Sequence, residues 1–347
     1  NGAVCDFFDD GTTKGEDKET KERIFRVCAD LAKRGIFIPR SFSFDLSAVS
    51  SIGIGGIAPA AFFPDTLASL TELIGGLKRF RVPYAVLGSA ANVLIPDGLS
   101  EKNSAEDADT ATEKGFLPGV IVFTKNLASL AVDGENIFAF AGVKGRDLVT
   151  TATAAGLTGA EFLTGIPCSV GGATYMNAGA NGRHVSDAIE SVLSYGTGEM
   201  RVRSVSECAF GYKDSVFMKN GEIILGVTFR LKRAGVSLAE ANVKIAAEAR
   251  KKLPAGKSLG CIFKNPLPQT AGDRRISAGL LIEKAGWKGK REGKAKISEE
   301  HANFIINDGG ATYENVKKLI RNVRRDVSEK QGVRLEEEIR YLGDLWQ

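Results

Sequence analysis

Four short stretches of this chain set ionisable groups beside glycine, aromatic or amide residues. The densest is Gly165-Ile166-Pro167-Cys168-Ser169-Val170-Gly171-Gly172-Ala173, which continues through Met176-Asn177-Ala178-Gly179-Ala180-Asn181-Gly182. Glycines let a backbone approach a bulky ligand closely, and unshielded amides can face a phosphate or a flavin ring. A tight buried turn would use the same residues. Phe210-Gly211-Tyr212-Lys213-Asp214-Ser215, Gly260-Cys261-Ile262-Phe263-Lys264-Asn265-Pro266 and Glu337-Glu338-Ile339-Arg340 are the other three. Taken singly they read as an exposed lysine, a buried thiol and an acidic surface patch. There is no GxxxxGK(S/T) phosphate loop, and Gly53-Ile54-Gly55-Gly56 lacks the third glycine and the preceding strand of a dinucleotide fingerprint.

The elements that must hold these groups follow from periodicity. Thr20 opens a helix with Ile24, Val27, Cys28 and Leu31 at helical spacing, which stops at Gly35. From Ser51 to Arg230 short apolar runs separated by glycine-rich turns predict strands at Tyr84 to Leu87, Val120 to Phe123, Ile137 to Ala141, Ile189 to Ser194 and Ile223 to Leu231. Helices are expected near Thr66 to Phe80 and Gly145 to Ala155. Ser237 and Glu240 have capping-box spacing ahead of a helix to about Lys252. Thr312 caps another, with the stripe Val316, Leu319, Ile320, Val323 and Val327, ended by Gly332. Lys317, Lys318, Arg321, Arg324 and Arg325 then form a solvated face.

The division expected is a variable extension at 1–19, a helix and lead-in at 20–50, a first domain at 51–232 with a disordered insertion at 100–114, a second domain at 233–335 and a tail at 336–347. With 347 residues, 43% hydrophobic and 25% charged, the chain can fill two or three cores. A net charge of +4, dispersed along the sequence, argues against nucleic acid or a membrane surface as the main partner. No apolar run approaches the roughly 20 residues needed to cross a bilayer. Five scattered cysteines without CxxC spacing fit a reducing compartment better than a disulfide framework, and His184 and His301 are too few and too far apart for a metal site.

The order and spacing of the motifs add what none carries alone. From about Leu46 to Gly343 the chain resembles the UDP-N-acetylenolpyruvoylglucosamine reductase (MurB) family. The resemblance runs through Leu46-Ser47 to Ile54-Gly55-Gly56, Val86-Leu87-Gly88 with Asn92, Gly165-Ile166-Pro167 to Asn177-Ala178-Gly179, Phe210-Gly211-Tyr212, Phe263-Lys264-Asn265-Pro266, Ser298 to Phe304, and Glu338-Ile339-Arg340. It implies an α+β chain: an FAD-binding domain of the vanillyl-alcohol-oxidase (PCMH) type plus a smaller C-terminal α/β substrate domain. It also implies NADPH as hydride donor and a UDP-sugar enolpyruvyl ether as substrate, in a cytoplasmic monomer. A divergent flavoprotein of this fold with lost or altered substrate, or a non-catalytic binding protein, is the alternative.

Carried over by residue, the family's proton donor, usually serine, falls on Cys261, its carboxylate-polarising glutamate on Glu338, and its arginine after Gly-Tyr on Lys213. Tyr212, Asn265, Lys264 and Arg340 stand at substrate-contact positions. Gly55, Gly56, Gly88, Ser89, Ala90, Ala91, Asn92, Gly165, Ile166, Ser169, Gly171, Gly172, Asn177 and Gly179 stand at cofactor positions, and no metal is implied. The chain departs from the family pattern at Lys213, which lacks a guanidinium fork. It departs again at Gly53, where an arginine is usual, and at Ser89-Ala90-Ala91, which replaces a glycine-rich turn.

Overall fold

The computed structural model describes residues 18–98, 114–267 and 275–347. The expected extension at 1–19, apart from Lys18 and Glu19, and the expected insertion at 100–114, apart from Lys114, lie outside the described residues.

Strand Val120–Phe123 is buried along its whole length and sits inside the first sheet, whose order is Arg40–Asp45, Ile57–Phe62, Val120–Phe123, Tyr84–Leu87. The outer pair is antiparallel and the other two are parallel. Side chains alternate across a strand, so Val120 and Val122 enter one core while Ile121 and Phe123 enter another. Helices Lys18–Lys33 and Leu67–Arg79 cover the first face with Ile24, Val27, Leu31, Leu70, Leu73 and Leu77. Thr66 caps the second of these reciprocally with Ser69.

A five-stranded antiparallel sheet follows, in the order Glu199–Ser204, Ile189–Gly196, Ile223–Arg230, Asn136–Phe140, Leu130–Asp133. Helices Gly145–Ala154 and Val170–Tyr175 pack on it. Helix Val236–Arg250 joins this lobe, against Gly145–Ala154 and the turn at Glu161–Leu163. The expected Ser237 to Glu240 capping box does not form: Ser237 lies inside the helix, which Gly235 enters with φ +82° and no side-chain cap. The reason is tertiary, because the Gly235 N–H donates to the Gly156 carbonyl at 3.0 Å and so fixes the chain's entry two residues early. This helix packs with the five-stranded sheet's lobe, and the next sheet begins at Ser258.

The C-terminal unit is a four-stranded antiparallel sheet, Ser258–Cys261, Phe304–Asn307, Ala295–Ile297, Arg291–Glu292, under helices Ala278–Lys284 and Tyr313–Gln331. Thr312 caps the long helix with Asn315, Gly332 ends it at φ +66°, and its expected apolar stripe is buried. Of the five basic residues expected on its solvated face, four sit at the surface in carboxylate pairs, namely Lys318–Glu292, Arg321–Glu314, Arg324–Glu337 and Arg325–Asp326. Ile52, Ile54 and Leu94 from the N-terminal half enter the core of this unit. The tail completes the assembly. Arg340–Tyr341 pairs in parallel with Val93–Leu94, Leu342 enters the first sheet's core, and Gln347 exchanges backbone hydrogen bonds with Tyr84.

Candidate active site

The tail is what delivers Glu338. Its N–H donates to the Ile262 carbonyl at 2.7 Å, and its carbonyl accepts from Asn92 Nδ2 at 3.2 Å. Glu338 is thereby fixed between the Cys261 turn and the Gly88–Asn92 loop. Alternation along an extended strand puts Arg340 on the same face two residues on.

Asn303 holds the opposite side of the Cys261 turn. Only 2% exposed, its Oδ1 accepts from the Phe263 N–H at 2.9 Å and its Nδ2 donates to the Phe263 carbonyl at 2.8 Å, so the side chain acts as one rung of a strand. Burial pushes the Cys261 thiol up to about 12, and the Glu338 carboxylate adds to the rise, while Lys213, Arg250 and Asn303 act downward. The thiol is thus a weaker acid than an unperturbed cysteine, though still stronger than an aliphatic hydroxyl.

Lys213 Nζ lies 2.6 Å from Glu338 Oε1. Its backbone is left-handed, φ +56°, and the turn carrying it is tied down by Asn177, whose Nδ2 donates to the Gly211 carbonyl at 2.8 Å. Beside it the Tyr212 hydroxyl accepts from the Asn265 N–H at 3.3 Å, and Asn265 Oδ1 accepts from the Ala278 N–H at 3.0 Å. Arg275 stacks its guanidinium 3.9 Å above the Tyr212 ring and donates to the Asn265 carbonyl at 3.0 Å. Lys264 turns away to pair with Glu336 at 2.6 Å and faces a smaller cavity of about 550 Å³.

These groups stand at one end of a cleft of about 1220 Å³. That exceeds the roughly 300–1,000 Å³ of a drug-sized pocket. Its lining also includes Gly88–Asn92, the Gly165–Gly172 loop and Gly179, so Ser89, Ala90, Ala91, Ile166, Ser169 and Gly171 all face it. The two loops interlock tightly. A Cβ on Gly88 would lie 2.0 Å from Ser169 Oγ, and one on Gly171 2.8 Å from the Ala141 Cβ. A Cβ on Gly172, by contrast, would meet only Ser169 Oγ, at 3.2 Å, and otherwise project into the open cleft. Bare backbone around a wide slot suits a planar ring system joined to a diphosphate.

Three expected cofactor residues lie outside that lining. Gly56 is required by packing, since a Cβ there would lie 2.6 Å from the Asp97 carbonyl and 2.7 Å from that of Gly115. Gly55 packs on Leu46 and Ile95. Asn177 is buried and braces the Lys213 turn. Arg250, Arg275 and Asn303 are site residues that the sequence reading did not single out. Asn303 at least lies within a quoted motif, whereas the two arginines are single cations among many. His301 serves the turn into Phe304, accepting at Nδ1 from the Asn303 N–H at 3.3 Å.

Comparison with known proteins agrees with this geometry. Residues 58–197 match the FAD binding domain family, and residues 250–342 match the UDP-N-acetylenolpyruvoylglucosamine reductase C-terminal domain family. The UDP-N-acetylenolpyruvoylglucosamine reductase of Lactobacillus delbrueckii subsp. bulgaricus is 33% identical over 318 residues, covering 91% of this chain and 98% of the relative. That of Thermotoga maritima is 36% identical over 303 residues, covering 87% and 96%. The crystal structure of the MurB enzyme from Thermus caldophilus superposes with a TM-score of 0.69 at 31% identity, over 88% of this chain and 98% of that one. Both halves of the molecule, and nearly the whole length of each relative, are matched, so the chain belongs to the UDP-N-acetylenolpyruvoylglucosamine reductase (MurB) family.

Proposed function

We propose that this protein reduces the enolpyruvyl ether of UDP-N-acetylglucosamine enolpyruvate to the lactyl ether of UDP-N-acetylmuramate, drawing hydride from NADPH. Held between the Gly88–Asn92 and Gly165–Gly172 loops, FAD would supply the hydride relay between NADPH and the alkene. The carrying observation is the convergence of Cys261, Glu338 and Lys213 at the end of a cleft whose other walls are the two glycine loops.

Hydride addition at one alkene carbon leaves negative charge on its neighbour and on the attached carboxylate. Lys213 Nζ is the cation that meets the charge, and Glu338 holds it in place from a different element. The Cys261 S–H then forms the new C–H bond, and the thiolate left behind regains a proton from solvent through the open cleft. Tyr212, Asn265 and Arg275, knitted to one another at the mouth, hold the nucleotide sugar.

The product belongs to peptidoglycan precursor synthesis, and through it to cell shape and division, which puts the work in the cytoplasm where nucleotide sugars are made. No helix among the described residues is long and apolar enough to cross a membrane. A single chain carries every residue invoked, consistent with a monomer. The test is stopped-flow absorbance of the FAD-loaded protein: NADPH should bleach the flavin band, and the enolpyruvyl substrate should restore it. A flavin that bleaches but is not reoxidised by that substrate would defeat the assignment.

A further inference from the structure

Cations facing the cleft fall into two groups. Lys213, Lys219 and Arg183 each have a carboxylate within reach, from Glu338 at 2.6 Å, Asp214 at 2.6 Å and Asp187 at 3.8 Å. Arg250, Arg275 and Arg340 have none among the described residues. Arg275 is occupied by the Tyr212 ring and the Asn265 carbonyl, and Arg340, whose Nε is buried without a hydrogen-bond partner, is anchored by its backbone pairing with strand Val93–Leu94. Arg250 is the one of the three held against the Gly165 loop.

Arg250 is the last residue of helix Val236–Arg250 and is half-buried. Its stem packs on Gly165, where a Cβ would lie 3.2 Å from its Cγ, and Nη2 makes one long hydrogen bond of 3.4 Å to the Gly165 carbonyl. A guanidinium offers five N–H donors, and desolvating it without an anion is costly. Burial does depress its pKa, and the ionisable groups of the wall around it are the thiols of Cys168 and Cys261, which burial keeps protonated and neutral. The plain alternative is a cation complementing the helix C-terminus. That role is met equally well in solvent and gives no reason to hold the side chain against the glycine loop.

The cleft's own chemistry supplies the missing anion. Hydride from the nicotinamide brings two electrons and one proton, so the oxidised nucleotide leaves with one positive charge gained and the flavin keeps one negative charge. We infer that Arg250 is the counter-cation for that charge, and so sets the reduction potential of the bound cofactor. The inference rests on the reading of the cleft as the FAD site.

The test compares the FAD-loaded wild type with Arg250→Met and Arg250→Lys, titrated anaerobically against a redox dye without substrate. Arg250→Met should shift the flavin midpoint to more negative potential and reduce the equilibrium constant for reduction by NADPH about tenfold or more, while Arg250→Lys retains most of the wild-type value. Arg250→Gln, with a different shape and the same lost charge, replaces the methionine variant if that one does not fold. A wild type that binds no FAD overturns the cleft reading itself. A wild-type flavoprotein whose potential is unchanged in both neutral variants overturns only the inference. A neutral variant with unchanged potential but weakened binding of UDP also overturns it, by giving Arg250 to the substrate phosphates.

Discussion

Lys213 and Glu338 reach one another from different parts of the molecule, one from a left-handed turn between strands Glu199–Ser204 and Ile223–Arg230 of the second sheet and the other from the C-terminal tail, and meet at 2.6 Å with side chains only 13% and 14% exposed. Each therefore neutralises the other in a nearly buried site, and neither charge is left to destabilise the unliganded protein. An entering carboxylate competes with Glu338 for the same ammonium.

Glu338→Gln should leave reduction of the flavin by NADPH close to wild type and slow reoxidation by the enolpyruvyl substrate by about 100-fold or more. The two half-reactions, followed separately by stopped-flow, decide this. A loss confined to the first half would move Glu338 out of the assigned step. Lys213→Arg should keep the pair and lower the substrate KM, because a guanidinium can bind a carboxylate with two parallel hydrogen bonds.

Cys261→Ala should likewise spare the first half-reaction and suppress the second by about 100-fold or more, with Cys261→Ser retaining activity. The pH dependence follows from burial, which moves the thiol from 9.0 to about 12. The folded pKa lies above the unfolded one, so this group's contribution to stability is complete below pH 9 and is lost as pH rises from 9 towards 12. Alkylation of Cys261 by iodoacetamide should accordingly remain slow through pH 10 and accelerate only above it, which mass spectrometry of the modified peptide measures.

The elements were legible where one local signal dominated. The strand at Val120–Phe123, the Thr312 cap and the Gly332 stop needed only apolar runs and cap chemistry. The capping box at Ser237 failed because a backbone hydrogen bond between Gly235 and Gly156, about 80 residues apart in sequence, overrode it. At the site, Cys261, Glu338 and Lys213 could be named by family resemblance, but not their contacts, since a tail strand laid between the Cys261 turn and the Asn92 loop has no periodic signature. Gly55 and Gly56 show why glycine motifs are hard to read: a backbone packed against Leu46, Ile95, Asp97 and Gly115 has the same sequence as one opened for a ligand.

Ala90 is a strained position. Its φ of +47° is left-handed, where an L-residue's Cβ costs about 1–2 kcal/mol, and it lies in the loop facing the cleft. Ala90→Gly should therefore stabilise the protein, by less than that amount because glycine also gains freedom in the unfolded chain. FAD should dissociate more slowly from the variant. Urea titration and flavin fluorescence give the two quantities, and a less stable variant would mean that the strain is relieved elsewhere.

Asn303→Ala removes both partners of the buried Phe263 backbone groups at once. Leaving a buried donor and acceptor unsatisfied costs about 1–3 kcal/mol each. The Cys261 turn should loosen with it, so a stability loss of about 2–6 kcal/mol and a slowed second half-reaction should appear together. Asn303→Asp, which retains the acceptor for the Phe263 N–H and loses the donor, should fall between the two.

Two glycines of the paired loops should respond in opposite ways. Gly88→Ala places a methyl 2.0 Å from Ser169 Oγ, the atom that caps the short helix beginning at Val170, so the loops must separate and the FAD-free protein should melt at lower temperature. Gly172→Ala meets only Ser169 Oγ, at 3.2 Å, and its methyl otherwise points into the cleft. That variant should fold with nearly unchanged stability and yet bind FAD at least about tenfold more weakly, since a flavin edge or phosphate must come within van der Waals contact of the bare backbone. Thermal melts without cofactor, paired with FAD titrations, separate the two effects. Full FAD affinity in Gly172→Ala would show that this wall of the cleft does not touch the cofactor.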